Sequence, residues 1–406
     1  VHPLPLILFT LTYLGLALGR IPGLKLDRTG FALLGAVAFL ATGSISVDEA
    51  KAAVDAPTLA VLFGMMLLSA QYRLSGLYSV IGGRLARMED PRRLLLGTIL
   101  VTALLSAVLT NDVVCFALTP LLAGALLASG RDPLPYLLAL ACASNIGSAL
   151  TPIGNPQNIL IAQSLRLSFL PFVLACAAPV VVATAALYLF AAWRLPARRG
   201  ESPDASAAAR VLEEAVPLDR REAAKAIGLT AAAIVLFLSP VPAPLTALGV
   251  AGVVLTSRRM HTRDMLALVD WHLLALFVGL FVVGRGFEVS GWTEAARDAL
   301  ARAGADLSHP AVVVVAVALL GLVVGNVPAV MLLLPFVGRE AETGWAMALA
   351  STFAGNAVLV GSIANLIVAE QAGRLGIEIG FREHLRIGLP VTLISLGLAA
   401  GAMLLW

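Results

Sequence analysis

Long apolar stretches set the first limit on this fold. Residues 4–18, 31–42, 167–192, 227–238, 273–283 and 385–406 are built almost wholly of Leu, Val, Ala, Ile, Phe and Gly. A helix that crosses the hydrocarbon of a bilayer needs about 20 predominantly apolar residues. In lipid, every backbone N–H and C=O must also find a partner within the protein. Strands of a membrane barrel would alternate apolar and polar side chains, and these runs do not. The expected fold class is therefore an all-α polytopic membrane protein with room for about ten transmembrane helices. Composition agrees, with 59% hydrophobic and 13% charged residues among 406, where a soluble domain carries about 25% charged.

Several function classes drop out. The net charge of +3 is small and the basic residues sit in short loops, as membrane orientation requires, so no nucleic-acid partner is expected. Cys115, Cys142 and Cys176 lie within apolar stretches and suggest no disulfide framework. His2, His261, His272, His309 and His384 are scattered near loops without an i, i+4 pair, so no metal centre is expected. No phosphate loop or ATP motif is present, and no nucleophile–base pair points to an enzyme. No cofactor is expected, and energy for transport would come from an ion or solute gradient. The first apolar run lacks a basic segment before it and is followed by Arg20 and Lys25, so it reads as a first span rather than a signal peptide.

The chain repeats itself. At one constant shift Val54-Asp55 meets Val269-Asp270, Gly64 meets Gly279, Ser75-Gly76 meets Ser290-Gly291, Leu85-Ala86 meets Leu300-Ala301 and Asn111 meets Asn326. Chance likeness of Leu/Ala/Gly-rich segments is the alternative, and the constancy of the shift counts against it. Internal repeats of this kind are common in secondary transporters. The charged, Pro-containing stretch 194–225 reads as a linker, with a short helix over 205–215, between a first repeat at 1–193 and a second at 226–406.

Loop charge supplies an orientation. Arg20, Lys25 and Arg28 lie inside; Asp48, Glu49 and Asp55 outside; Arg84, Arg87, Arg92 and Arg93 inside. Segment 94–129 is too long for one pass and is interrupted at Thr110-Asn111-Asp112, so it is expected to be a re-entrant hairpin of two half-helices. A broken span over 134–166 follows. The second half is expected to hold a mirror hairpin at 311–337 and a broken span at 345–373. Followed through, the charges give the two repeats opposite orientation, the linker inside and the N-terminus outside. The expected location is the inner cell membrane.

Asn, Asp, Thr, Gly and Pro at membrane depth are costly unless they face protein or water. They gather at four places: Thr110-Asn111-Asp112; Asn145 with Thr151, Asn155 and Asn158; Asn326 after Gly325; and Asn356 with Ser362 and Asn365. Such breaks free backbone groups and aim helix ends at the midplane, where their partial charges hold ions or oxygen-rich solutes. Kinks bonded between helices would be the structural alternative. Asp112 is the one carboxylate at a break; it reads either as a proton carrier or as a cap for the helix that follows. Asp55 and Asp270 read as caps or interfacial groups. Cys115 reads as packing, with a soft-metalloid ligand as the alternative. No basic residue falls at any of the four breaks.

TNDVVCFALTPL (residues 110–121), SNIGSALTPIGNPQNILIA (144–162) and AGNAVLVGSIANLIVAE (354–370) resemble the ion transporter superfamily. The resemblance covers nearly the whole chain. It is strongest to the arsenite/antimonite permease branch, and within that to plant silicon efflux transporters and their bacterial relatives. It implies two inverted repeats, each with a re-entrant hairpin and a broken helix, a homodimer, and an elevator-like motion. It also implies site roles for Asn111, Asn326, Asn145, Thr151, Asn155, Asn158, Asn356, Ser362 and Asn365. The dicarboxylate carriers of the superfamily show Ser-Asn-Thr at both tips; here the tips read Thr-Asn-Asp and Gly-Asn-Val, a departure from sodium/dicarboxylate symport. The expected function is proton-coupled export of a small oxo-acid of the silicic acid or arsenite type. A sodium-coupled anion symporter and a passive channel remain as alternatives.

Overall fold

The structure is a computed structural model that describes residues 2–19, 23, 25–194, 216–304, 306–307 and 309–403. Proline and capping side chains set most helix starts. Asp55 accepts from Thr58 N at 3.2 Å and Asp270 from Leu273 N at 2.9 Å, so both aspartates of the repeated Val-Asp pair are N-caps. Asp90 and Asn155 cap helices whose first residue is proline, which has no N–H to leave unpaired.

The first half contains α1 (Pro3–Leu18), α2 (Arg28–Ala41), α3 (Val47–Ala53), α4 (Ala56–Leu74), α5 (Leu77–Ala86), α6 (Pro91–Val108), α7 (Asn111–Ala128), α8 (Leu134–Ser148), α9 (Pro156–Ser164) and α10 (Phe169–Arg194). The second contains α11 (Arg220–Phe237), α12 (Ala243–Leu255), α13 (Thr262–Leu266), α14 (Trp271–Val289), α15 (Trp292–Arg302), α16 (Pro310–Val324), α17 (Asn326–Leu333), α18 (Ala341–Ala354), α19 (Ile363–Gly373) and α20 (Phe381–Ala402). Raising each label by ten carries one half onto the other. The packing follows the same rule. α6 lies on α8 and α16 on α18; α4 on α12 and α14 on α2; α7 on α19 and α17 on α9. α10 packs against α20, a pair the exchange leaves unchanged. The turns repeat as well: Gly76 between α4 and α5 and Gly291 between α14 and α15 hold φ of 73° and 78°, a region open to glycine at little cost.

Among the described residues, α6, α7, α10, α14 and α20 are long and apolar enough to cross a bilayer, and α3 and α4, bent by 50°, make a sixth span if taken together. α1, α2, α8, α12, α16 and α17 are apolar but shorter. Leu174, Val181 and Leu189 of α10 and Leu393 of α20 are more than half exposed, as side chains against lipid would be. The arms of the first hairpin, α6 and α7, are 18 residues each, about 27 Å long at 1.5 Å per residue. Each is long enough and apolar enough to cross a bilayer, and the turn between them falls at Leu109 and Thr110, at the expected interruption. The second hairpin is shorter, with arms of 15 and 8 residues and a 3-10 turn at Leu334–Phe336.

The expected linker ends earlier than its composition suggests. Asp219 accepts from Arg221 N and Glu222 N and starts α11 at Arg220. Arg259 sits 2.5 Å from Asp219, and its hydrogen bond holds that carboxyl below the usual range. The helix expected over 205–215 falls outside the described residues.

Close packing between the halves depends on small residues. A Cβ at Gly64 of α4 would lie 2.4 Å from Ala247 O of α12, and one at Gly279 of α14 would lie 2.8 Å from the Ala32 carbonyl carbon of α2. Gly249 of α12 faces open space. Gly64→Leu is therefore expected to destabilise the protein by about 1–3 kcal/mol, and Gly249→Leu to leave stability within about 0.5 kcal/mol. Unfolding of the purified protein in detergent checks both, and equal stability of the two variants would refute this packing.

Candidate functional site

Each hairpin tip is bonded to a helix break. α6 ends with Leu109 extended, and Thr110 takes the N-cap position of α7. Asn111 N donates to Gly154 O at 3.0 Å, and Thr151 Oγ1 donates to Ala107 O. In the second half α16 ends and α17 begins around one residue, Gly325, at φ 91°. Asn326, with its amide nitrogen turned toward them, donates to Ser351 O and Gly361 O at 3.0 Å each.

The two breaks are tied alike. Asn158 Nδ2 donates to Ser148 O (3.3 Å) and Thr151 O (3.0 Å). Asn365 Nδ2 donates to Gly355 O (2.8 Å) and Val358 O (3.3 Å). One shift in numbering takes Asn158, Ser148 and Thr151 onto Asn365, Gly355 and Val358. In each half an asparagine side chain thus donates to two carbonyls at the interruption, of which Thr151 O and Val358 O also accept from Gly154 N and Gly361 N.

The same shift governs the bonds between halves. Asn155 Nδ2 donates to Thr352 Oγ1 at 3.2 Å, and Ser362 Oγ donates to Asn145 Oδ1 at 2.9 Å; the shift takes Asn155 to Ser362 and Asn145 to Thr352. Asn145 is the hub. Its Oδ1 also accepts from Asn111 Nδ2 at 3.1 Å, and its Nδ2 donates to Asn356 Oδ1 at 2.8 Å and Asn365 Oδ1 at 3.1 Å. The network therefore joins both breaks and the first tip.

The residues singled out from the sequence divide into two groups. Asn111, Asp112, Asn326 and Ser362 line one cavity with Arg28, Gln157, Leu276 and Gly325, among others. Thr151, Asn155 and Asn158 are buried at the first break and, like Asn145, Asn356 and Asn365, hold the frame behind that cavity. The cavity volume is about 30 Å³, enough for one or two waters. Thr110 Oγ1 and Asn111 Oδ1 are buried without a hydrogen-bond partner among the described residues. Asp112 stands in the first turn of α7 but does not cap it, since Thr110 holds the N-cap position. Cys115 is fully buried away from the cavity lining.

One expectation is overturned. Arg28 contradicts the reading that no basic residue reaches a break: it is the first residue of α2 and lines the cavity. A Cβ at Gly325 would lie 3.0 Å from Arg28 Nη1. In the sequence Arg28 follows Arg20 and Lys25 and looks like a third loop charge; only the packing of α2 on α14 brings it to the second tip. Thr352, Ser148 and His384 were also missed. Thr352 sits in the last turn of α18, where a lone Thr carries no signal, although the repeat pairs it with Asn145. His384 is buried in α20, with Nε2 2.9 Å from Asn356 O and 3.3 Å from Asn365 Nδ2.

Comparison with known proteins places this geometry. The profile of the citrate transporter family matches residues 13–354. The chain is 30% identical to the silicon efflux transporter LSI3 of Oryza sativa subsp. japonica, over 92% of each chain. It is 29% identical to a 46 kDa membrane protein of Mycobacterium leprae, over 96% of this chain and 95% of that one. It is 24% identical to the putative transporter arsB of Dictyostelium discoideum, over 91% and 86%. Among solved structures, the YdaH transporter of Alcanivorax borkumensis superposes with a TM-score of 0.59 at 18% identity, covering 99% of this chain and 96% of that one, which speaks to the fold.

The bonds between halves can be tested directly. Thr352→Val leaves Asn155 Nδ2 with Ser148 Oγ alone, and Ser362→Ala removes a donor from Asn145 Oδ1. Each is expected to cost about 1–3 kcal/mol. The pair is expected to depart from additivity by about 0.5–3 kcal/mol, since both act on one network. A double-mutant cycle in unfolding of the purified protein measures this, and two silent single variants would remove the network from the account.

Proposed function

Because the chain belongs to the citrate transporter family, and so is a multi-pass secondary transporter, we propose that it exports a small oxo-acid of the silicic acid or arsenite type in exchange for protons. The observation that carries the reading is the convergence of both hairpin tips on one cavity lined by Asn111, Asp112, Asn326 and Ser362. Amide and hydroxyl groups both donate and accept, which suits a solute carrying several hydroxyls. The likeness to LSI3, a silicon efflux transporter, favours this solute class. Asn145, Thr151, Asn155, Asn158, Asn356 and Asn365 keep the two breaks in register behind that cavity, Thr110 offers a hydroxyl unpartnered among the described residues at the first tip, and Asp112 carries the proton.

In this reading the halves at 1–193 and 226–406 are inverted repeats, with two re-entrant hairpins and the linker 194–225 in the cytoplasm. The N-terminus lies outside, in the inner cell membrane, and the working unit is a homodimer. The solute would move with the hairpins and breaks in an elevator-like motion. A sodium-coupled anion symporter is the second reading, and Arg28 at the cavity favours it by supplying a cation. A passive channel fits less well, since the cavity is closed down to about 30 Å³.

Two measurements test the proposal. Cysteines introduced at Ser206 and Asp48 are expected to label from opposite sides of the membrane; labelling from one side ends the topology. In proteoliposomes, the wild type is expected to accumulate silicic acid or arsenite when a pH gradient is imposed. Asp112→Asn keeps size and amide-like hydrogen bonding but cannot titrate. It is expected to abolish accumulation while solute exchange continues. Accumulation equal to wild type would make Asp112 a structural residue.

A further inference from the structure

Arg28 is a charge without a counter-charge. Among the described residues it makes no hydrogen bond and no ion pair, although it shares its cavity with Asp112. A guanidinium half-removed from water is costly unless something pairs with it, and it carries five N–H donors in a plane that matches the oxygens of an oxyanion. Opposite it, Asn111 is 3% exposed, and its Oδ1 has no partner while its Nδ2 is taken by Asn145. A buried amide oxygen in that state accepts from a hydroxyl. The cavity thus offers an unpaired cation and an unpaired neutral acceptor, and Asn326 and Ser362 line the same space.

We propose that Arg28 is a specificity residue of this site, and that the solute is held as a singly charged oxyanion that still carries hydroxyl groups. The charged oxygen pairs with Arg28, and a remaining hydroxyl donates to Asn111 Oδ1. A fully deprotonated oxyanion leaves Asn111 Oδ1 unsatisfied, and a neutral acid leaves Arg28 unpaired. The repeat sharpens the argument. The first residue of α12, the counterpart of α2, is Ala243, and it lines a separate cavity with Val61, Pro152 and Ile153. The cation therefore belongs to one side of the pseudo-symmetric pair and is not a repeated structural feature. Such pairing also explains why the position next to it is Gly325. At φ 91°, with Arg28 Nη1 3.0 Å from any Cβ, a side chain there would displace the guanidinium.

The proposal keeps the oxo-acid class but assigns it the charge of a monoanion, and so rests on the anion reading that Arg28 favours rather than on a neutral silicic acid or arsenite. The test uses the purified full chain at one fixed pH. Binding of dihydrogen phosphate, sulfate, and neutral silicic and arsenous acids is measured by calorimetry for wild type, Arg28→Gln and Arg28→Lys. Wild type is expected to prefer the hydroxyl-bearing monoanion over sulfate and over the neutral acids. Arg28→Gln is expected to lose about tenfold to a hundredfold in monoanion affinity while neutral-acid binding stays level, and Arg28→Lys to recover part of the loss. Equal monoanion affinity in wild type and Arg28→Gln overturns the proposal, as does a wild type that binds no oxyanion. Loss of every ligand in both variants also overturns it, since it would give Arg28 a purely structural role. Failure of the transport reading shows separately, as absence of pH- or sodium-driven accumulation of any of these solutes by wild type in proteoliposomes.

Discussion

Backbone groups freed inside an apolar layer must be paired again, and the structure depends on how this chain does it. Two helices stop and restart at the breaks, after Ser148 and after Ala354. Each interruption leaves carbonyls with no N–H above them. Water is scarce at that depth, so side chains must take its place. Asn158 and Asn365 each donate to two carbonyls at a break, Ser148 O and Thr151 O in one half and Gly355 O and Val358 O in the other. Asparagine suits the task because its short amide reaches the backbone and still offers its oxygen to a neighbour. That oxygen is used: Asn365 Oδ1 accepts from Asn145 across the halves. The polar cluster is first a solution to a folding problem, and the proposed solute site draws on what that solution leaves unpaired.

Pseudo-symmetry builds the frame, and departures from it carry the chemistry. The breaks, caps and inter-half bonds repeat at fixed shifts. The charges do not. Asp112 is matched by Val327 and Arg28 by Ala243. Along α6 the buried hydroxyls of Thr98, Thr102 and Ser106 line up toward Thr110 at helical spacing, where α16 has Val313, Val317 and Gly321 before Gly325. His384 touches the second break from α20, and Gly388 one turn later lets α20 approach so closely that a Cβ there would overlap Asn356 O. A perfectly repeated chain would present two equivalent mouths. The unmatched groups make one mouth charged.

Much of this was readable in the sequence, and the reason is specific. Polar residues are so disfavoured at membrane depth that Asn111, Asn145, Asn326 and Asn365 stand out against Leu, Val and Ala. Asp55 and Asp270 were readable as caps because each precedes the first turn of a long apolar run. What stayed hidden was whatever looked ordinary for its place. Thr352 lies in a helix rich in small residues, and Arg28 follows two loop cations. Their roles arise from packing between distant segments, which single-sequence patterns do not encode.

The distribution of hydrogen bonds suggests which parts move together. The bonds at the four breaks close within α6–α9 and α16–α20. Many of those of the surrounding helices close among themselves, with Gln71 on Glu222, Tyr72 on Thr230 and Thr29 on His272 O, and a few, such as Arg297 on Pro335 O and Arg131 on Ala86 O, reach the hairpins. Where α4 meets α7 and α9, and α14 meets α17, no side-chain hydrogen bond joins them among the described residues; Arg73 of α4 lies over the Phe116 ring of α7. Sliding one apolar surface over another sacrifices few directional bonds, whereas pulling one tip from its break would strand buried amides at about 1–3 kcal/mol each. In the proposed elevator-like motion the bonded core would therefore be displaced as a whole against its frame. Arg28 belongs to the frame and faces a tip of the core, so such a displacement changes its distance from Asn111, Asp112 and Asn326 together. An ion held between them would feel the motion at once, which is the coupling a carrier requires.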